Sequence, residues 1–148
     1  QRVIQQVTEN QPPELRGQHR ITYENTCTVT SALLDTALLD IVLDNLLGNA
    51  IKYSPNGEEV RYSVSNTDDE LIIRIQDFGI GIHQDELETI FQLFYRATNA
   101  RDFNIKGTGM GLFIVRDRII AHRGSIEVES ELGFGTTFII RLPLLQPD

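Results

Sequence analysis

The chain has 148 residues, 41% of them hydrophobic, which suits one domain with an ordinary core and leaves little room for a second. Lys and Arg number 13 against 21 Asp and Glu, a formal net charge of -8. This argues against nucleic acid or direct contact with an anionic membrane, since both bind positive surfaces. A phosphate ligand depends on local charge and stays open. Cys27 is the single cysteine, so no intrachain disulfide forms, as suits a reducing cytosol. No apolar run is long enough to span a bilayer, and the opening Gln1-Arg2-Val3-Ile4 has neither Met nor the apolar stretch of a signal peptide. The chain therefore reads as a cytoplasmic piece of a longer protein, with membrane anchoring of that parent left open.

In chain order, residues 1–18 carry Val3, Ile4 and Val7 at helical spacing until Pro12 and Pro13 break the pattern, and read as the end of an upstream helix with its linker. Residues 19–145 read as the domain proper and 146–148 as a tail. His19 to Thr26 alternates, with Ile21 and Tyr23 on one side, and predicts a strand. Ser31 to Tyr53 predicts a helix, because Leu39, Leu43, Leu46 and Ala50 recur at three and four residues and form one apolar face. Ser54-Pro55-Asn56-Gly57 ends it. Val60, Tyr62 and Val64 alternate, Asn66 to Asp69 turn, and Leu71, Ile73 and Ile75 alternate again, which predicts a hairpin ending at Asp77.

Asp85 to Phe94 predicts a short helix with acidic residues in its first turn, where the dipole favours them. Residues 95–106 are polar and aperiodic, the mark of a functional lid or a disordered stretch. Gly109 or Met110 opens another helix, with Leu112, Val115 and Ile119 facing in and Gly124 past its end. Ile126 and Val128, then Phe138, Ile140 and Leu142, predict a final hairpin across Gly133-Phe134-Gly135. This order predicts an α+β fold, a two-layer sandwich with one mixed sheet of about five strands covered on one face by about three helices.

Four constellations carry chemistry. Asn45, Asn49 and Lys52 lie four and seven apart on one helix stripe. Two neutral amide oxygens and an ammonium on one stripe suit a magnesium polyphosphate, although a solvated polar face is the commoner meaning of such a stripe. Asp77-Phe78-Gly79-Ile80-Gly81-Ile82 follows a strand directly. A carboxylate there can accept a hydrogen bond from an exocyclic amine such as adenine N6, and glycines let the backbone turn sharply against a flat ring; an ordinary turn has the same composition. Gly107-Thr108-Gly109-Met110-Gly111-Leu112 precedes a helix, where free N–H groups and the dipole favour phosphate; a flexible hinge is the plainer alternative. It is neither a dinucleotide fingerprint nor a P-loop, for want of a preceding strand and of Gly-Lys-Ser/Thr. Phe91, Phe94, Tyr95 and Arg96 lead into a loop with Arg101 and Lys106, as aromatic anchors and cations of a lid would; a core helix end with solvated charges is the alternative, and the one favoured for Arg101.

Taken in order, these four segments resemble the N, G1, F and G2 boxes of the nucleotide-binding superfamily that includes histidine kinases, gyrase and the mismatch-repair ATPases. The resemblance is closest to sensor histidine kinases and runs from Asp35 to Pro143. Asp35, Leu39, Val42 and Leu43 before the asparagines, Ile90-Phe91 with Phe94-Tyr95-Arg96, and Gly133-Phe134-Gly135-Thr136 ahead of Leu142-Pro143 carry it. It implies a Bergerat-type fold, ATP and Mg²⁺, and transfer of the γ-phosphoryl group to a histidine. In that likeness Asn45 and Asn49 match the Mg²⁺ and phosphate asparagines. Lys52 and Tyr53 match phosphate and ribose contacts, and Asp77 matches the adenine-binding aspartate. Gly79, Gly81, Gly107, Gly109 and Gly111 match the backbone-binding glycines, and Arg96 matches a basic position near the γ-phosphate. Asn45, Lys52 and Arg96 are thus the expected catalytic set. Ile82, Phe94, Lys106, Thr108, Met110, Leu112 and Thr136 fall within or beside the boxes and complete the expected cofactor contacts. The chain departs from the pattern at Ile105-Lys106, where many relatives have small residues, and at Met110, where Leu is usual.

The superfamily's ATPases place a water-activating Glu four residues before the first asparagine, where this chain has Ile41, an apolar residue that cannot be a general base. None of His19, His83 and His122 sits on the kind of helix that carries an acceptor histidine. The likeness therefore implies an acceptor on a separate dimerisation domain and a response regulator downstream. An anti-sigma-type serine kinase and a non-catalytic ATP-binding module of the same superfamily are the alternatives.

Overall fold

The computed structural model describes residues 20–28, 35–54, 59–92 and 111–144. Among them are β1 (Ile21–Asn25), α1 (Thr36–Lys52), β2 (Val60–Asn66), β3 (Glu70–Asp77), a 3-10 turn (Gln84–Glu86), α2 (Gly111–Ala121), β4 (Ser125–Glu131) and β5 (Gly135–Pro143). The strands form one sheet in the order β1-β2-β3-β5-β4. β1 and β2 are parallel and the other pairs antiparallel, so the sheet is mixed, as expected. Parallel neighbours need a crossover, and α1 lies between these two in the chain.

The registers align core rows across the sheet. Val64 faces Ile73, which faces Ile140, which faces Ile126; one row on, Tyr62, Ile75, Phe138 and Val128 line up. Leu39, Val42, Leu43 and Leu46 of α1 are 0% exposed and belong to the same cluster as these strand residues, together with Val115 and Ile119 of α2. Helices and apolar strand face thus meet in one layer, each fully buried aliphatic side chain contributing on the order of 1.5–3 kcal/mol. Because strand residues alternate, Asp77 follows Leu71, Ile73 and Ile75 onto this same face. The core row ends in a carboxylate.

Several boundaries differ from the sequence expectation. α1 starts at Thr36 rather than Ser31, because Asp35 is extended at φ -77 and ψ 113 and its Oδ1 accepts from Ala37 N and Leu38 N, at 2.9 and 3.3 Å. That is an N-cap, and it closes the helix there. The helix expected over 85–94 is a 3-10 turn at Gln84–Glu86 followed by turns as far as Phe91. Its last two residues lie outside the described ones, as do the expected lid and the start of the helix expected at Gly109 or Met110. The described residues therefore contain two α-helices rather than three.

Gly124 follows α2 as expected, but not as the left-handed residue: Arg123 takes that place at φ 63. Arg123 N donates to Ile120 O and Gly124 N to Ile119 O, both at 2.9 Å, the paired bonds of a Schellman ending. Gly124 is required by close approach instead, since a Cβ there would stand 2.5 Å from the Arg141 carbonyl oxygen.

Candidate nucleotide-binding site

A cleft lies between α1, the ends of β3 and β5 and the start of α2. Asn49 and Tyr53 line it from α1, Asp77 from β3, Thr136 and Phe138 from β5, Leu112 from α2, and Ile82 and Ile90 from the connection after β3. The walls at Ile82, Ile90 and Phe138 are buried and apolar. Asp77, only 5% exposed, is the carboxylate among them.

Backbone geometry holds that carboxylate. Oδ1 accepts from Gly79 N at 3.0 Å and from Thr136 N at 3.2 Å, one bond from its own turn and one from the neighbouring strand. The turn is clamped on both sides. Ile80 N donates to the Tyr53 carbonyl at the end of α1, at 3.0 Å, and Gly133 N donates to the Ile80 carbonyl from the β4–β5 turn, at 2.9 Å. Gly79 and Gly81 make these approaches possible: a Cβ at Gly79 would overlap the Tyr53 carbonyl oxygen, and one at Gly81, where φ is +73, the Glu131 carbonyl oxygen. The space freed by the absent Cβ atoms is thus filled by the protein's own backbone. Below the turn, Ser130 Oγ accepts from Ile82 N at 2.8 Å, donates to the Gly135 carbonyl at 2.9 Å and meets Thr136 Oγ1 at 2.7 Å. If Ser130 donates to the carbonyl, Thr136 supplies the proton between the two hydroxyls.

At the other end of the cleft, Asn45 Nδ2 donates to the Ile41 carbonyl one turn back, at 2.7 Å. This turns Oδ1 towards the start of α2, where a Cβ at Gly111 would come within 2.8 Å of it. Ile41 therefore contributes a carbonyl that orients Asn45, and an apolar side chain where a general base would stand.

Of the residues expected from sequence, the structure gathers Asn49, Tyr53, Asp77, Ile82, Leu112 and Thr136 around one cleft, with Asn45 against Gly111 at its mouth and Gly79 and Gly81 supporting its floor. Lys52 is exposed in the last turn of α1 and is not part of the lining. Phe94, Arg96, Lys106, Gly107, Thr108, Gly109 and Met110 lie outside the described residues. Sequence reasoning missed Ile90, Phe138 and Ser130. Phe138 could have been found, because it shares the inward face of β5 with Thr136 and Ile140. Ser130 carries no local signal, since its role depends on strand register. Among the described residues there is no group of three or more His, Cys, Asp or Glu that could hold a metal ion, and no helix is long and apolar enough to cross a membrane.

Comparison with known proteins identifies the family. Residues 34–146 match the family described as histidine kinase-, DNA gyrase B-, and HSP90-like ATPase. The chain is 43% identical over 119 residues to the sensor protein SrrB of Staphylococcus aureus strain MRSA252, covering 80% of this chain and 20% of the relative. SrrB of strain NCTC 8325 is 45% identical over 109 residues, again over only 19% of its length, so the chain spans about a fifth of these relatives. The mycobacterial sensor histidine kinase MprB superposes with a TM-score of 0.69 at 30% identity, covering 86% of this chain and 84% of that one. Full-length ShkA, solved in complex with AMPPNP, gives 0.74 at 27% identity, covering 86% of this chain and 26% of the other. The chain belongs to the histidine kinase-, DNA gyrase B-, and HSP90-like ATPase family, and within it is an ATP-binding catalytic domain of the sensor histidine kinase type.

Proposed function

We propose that this domain binds Mg-ATP in the cleft and delivers the γ-phosphoryl group to a histidine on a separate dimerisation domain, from which a response regulator takes it. The observation that carries the reading is Asp77: a carboxylate at the end of a core row, held by two backbone N–H groups between apolar walls. Such a slot suits a flat heterocycle bearing an exocyclic amine. Asp77 accepts from adenine N6, and Ile82, Ile90 and Phe138 cover the ring. Thr136 offers a hydroxyl beside the carboxylate, and Tyr53 lies on the ribose side.

The donor chemistry at the mouth fits Mg²⁺. Asn45 and Asn49 are neutral oxygen donors one turn apart, and the bond from Asn45 Nδ2 to Ile41 leaves its oxygen facing the cleft mouth. They would hold the ion against phosphate oxygens, where it offsets charge on the transferring group. Lys52, which is exposed at the end of α1, and Arg96, which lies outside the described residues, would by the family likeness offset charge on that group. The protein's share of the chemistry is then positioning and electrostatics, with the nucleophile supplied by another domain. Apolar Ile41 disfavours hydrolysis, since no carboxylate stands at that position to activate water.

Incubation with radiolabelled ATP and magnesium tests this. The chain alone should bind the nucleotide without labelling itself. Adding a histidine-bearing dimerisation domain of a sensor kinase should give acid-labile phosphohistidine on that domain, abolished by a chelator. Label on His19, His83 or His122, or acid-stable phosphoserine on an added regulator, would contradict the reading, and the second result would favour the serine kinases of this fold.

A further inference from the structure

α1 and α2 pack against each other, and two places along their seam bear on the cleft. At the cleft mouth Asn45 Oδ1 faces Gly111, the first residue of α2. At the far end, His122 just beyond α2 meets Asp35, the N-cap of α1, with Nε2 3.1 Å from Asp35 Oδ2. The helices therefore run antiparallel, tied at one end by the His122–Asp35 side-chain pair and opening at the other onto the cleft.

The ring of His122 has an acceptor on each side. Nδ1 lies 2.8 Å from the Arg118 carbonyl oxygen, opposite the Asp35 carboxylate at Nε2. A neutral imidazole carries one N–H and one lone pair, so one of these contacts would set a lone pair against an oxygen. Only the imidazolium donates to both. Asp35 is similarly committed, because its other oxygen caps α1 through Ala37 N and Leu38 N. We propose that His122 acts as an imidazolium clasp between the end of α2 and the cap of α1, and so positions Asn45 against Gly111 at the phosphate end of the cleft. The inference rests on the assignment of that cleft to Mg-nucleotide.

The electrostatics agree. The Arg118 carbonyl first, and then the Asp35 carboxylate, hold the His122 pKa above the ordinary histidine range, against partial desolvation and then the Arg118 charge, which oppose them. The His122 bond and the cap N–H groups hold Asp35 below the ordinary carboxylate range. His122 is favoured as a cation in the folded state, so its contribution is complete below about pH 6.5 and fades as pH rises through its folded value. Asp35 contributes above about pH 3.9 and is lost only as pH falls through its lowered value. The clasp is thus closed in mildly acidic solution and opens on the alkaline side. The side chains are 36% and 47% exposed, so the coupling is modest and weakens with salt.

The test is a calorimetric titration of ADP with magnesium between about pH 6 and pH 9, paired with an NMR titration of His122. The chains compared are the unmodified one, Asp35→Asn and His122→Arg. Asn keeps the N-cap oxygen and turns an uncharged NH₂ group, in place of the carboxylate oxygen, towards His122, while Arg keeps a cation at every pH. Relative to His122→Arg, which shares the nucleotide's own titration, the unmodified chain should lose affinity by roughly two- to five-fold across this range. Asp35→Asn should show no such excess loss, and its His122 pKa should fall back towards about 6.5. Parallel affinity profiles for the unmodified chain and His122→Arg, or the same His122 midpoint with and without Asp35, would overturn the clasp while leaving the cleft assignment intact. Absence of binding in every chain at every pH, with His122 still responding to Asp35, would remove the cleft assignment and the coupling with it.

Discussion

Replacing Gly79 and Gly48 by alanine adds the same methyl group at two sites, and the two changes should have opposite signs. At Gly79 the new Cβ would overlap the Tyr53 carbonyl oxygen and stand 2.7 Å from its carbon and 2.9 Å from Ser54 Oγ. Two of these atoms are backbone at the C-cap of α1, so the clash is relieved only by moving the turn away from the helix. That displacement also strains the 3.0 Å bond from Ile80 N to Tyr53 O. Overpacking of about 1–3 kcal/mol, together with about 1 kcal/mol for the weakened bond, gives a loss of about 2–4 kcal/mol. Gly48 lies inside α1, and a Cβ there meets nothing within 4 Å. It should stabilise by about 0.5–1 kcal/mol, because alanine restricts the unfolded chain and favours helix. Urea denaturation followed by circular dichroism measures both, as midpoint shifts at unchanged slope. Shifts of the same sign, or a Gly79→Ala loss below about 0.5 kcal/mol, would show that the turn is not packed against the helix end as described.

Other expectations follow from single contacts. Ser130→Ala removes the acceptor of the Ile82 N–H, and should cost about 1–3 kcal/mol in the same assay and weaken nucleotide binding through the displaced Ile82 wall. Burial pushes the Tyr62 hydroxyl far above its ordinary range, with the neighbouring Tyr23 adding to the shift. The folded state therefore keeps a proton that the unfolded chain releases, and stability should fall above about pH 10 at about 1.4 kcal/mol per unit from this group. Alkaline difference spectra should show one tyrosine ionising only with unfolding; ionisation of all tyrosines ahead of unfolding would contradict the buried placement.

Much of the fold was legible because the strands alternate cleanly. Tyr62 and Val64, Ile73 and Ile75, and Phe138 and Ile140 each point one way, and the two hairpins fall where that alternation reverses. The cleft was legible in part for the same reason, since Asp77 continues the inward series of β3. What was hidden depends on partners distant in the chain. The start of α1 was misplaced because Leu33 and Leu34 continue the apolar pattern upstream, whereas the N-cap is set by Asp35. The Asp35–His122 contact joins residues 87 positions apart and leaves no periodic trace. Gly124 reads as a glycine past the end of a helix, yet the Arg141 carbonyl pressing against it is what excludes a Cβ there, a fact of sheet register rather than of the helix end. Gly79 and Gly81 were recognisable as a sharp turn, but what fills the space beside them became visible only with Tyr53 and Glu131 in place.

The central claim, that Asp77 reads the base of a bound adenine nucleotide, is tested most directly by calorimetric titration of ATP with magnesium into the unmodified chain and into Asp77→Asn. An asparagine oxygen can still accept from Gly79 N and Thr136 N, so the turn should persist, while its amide NH₂ would oppose an exocyclic amine. Loss of a charged hydrogen bond of about 1.5–3 kcal/mol predicts saturable binding to the unmodified chain and affinity weakened roughly ten- to hundred-fold in the variant. Equal affinities in the two chains, or no heat of binding in the unmodified one, would contradict it.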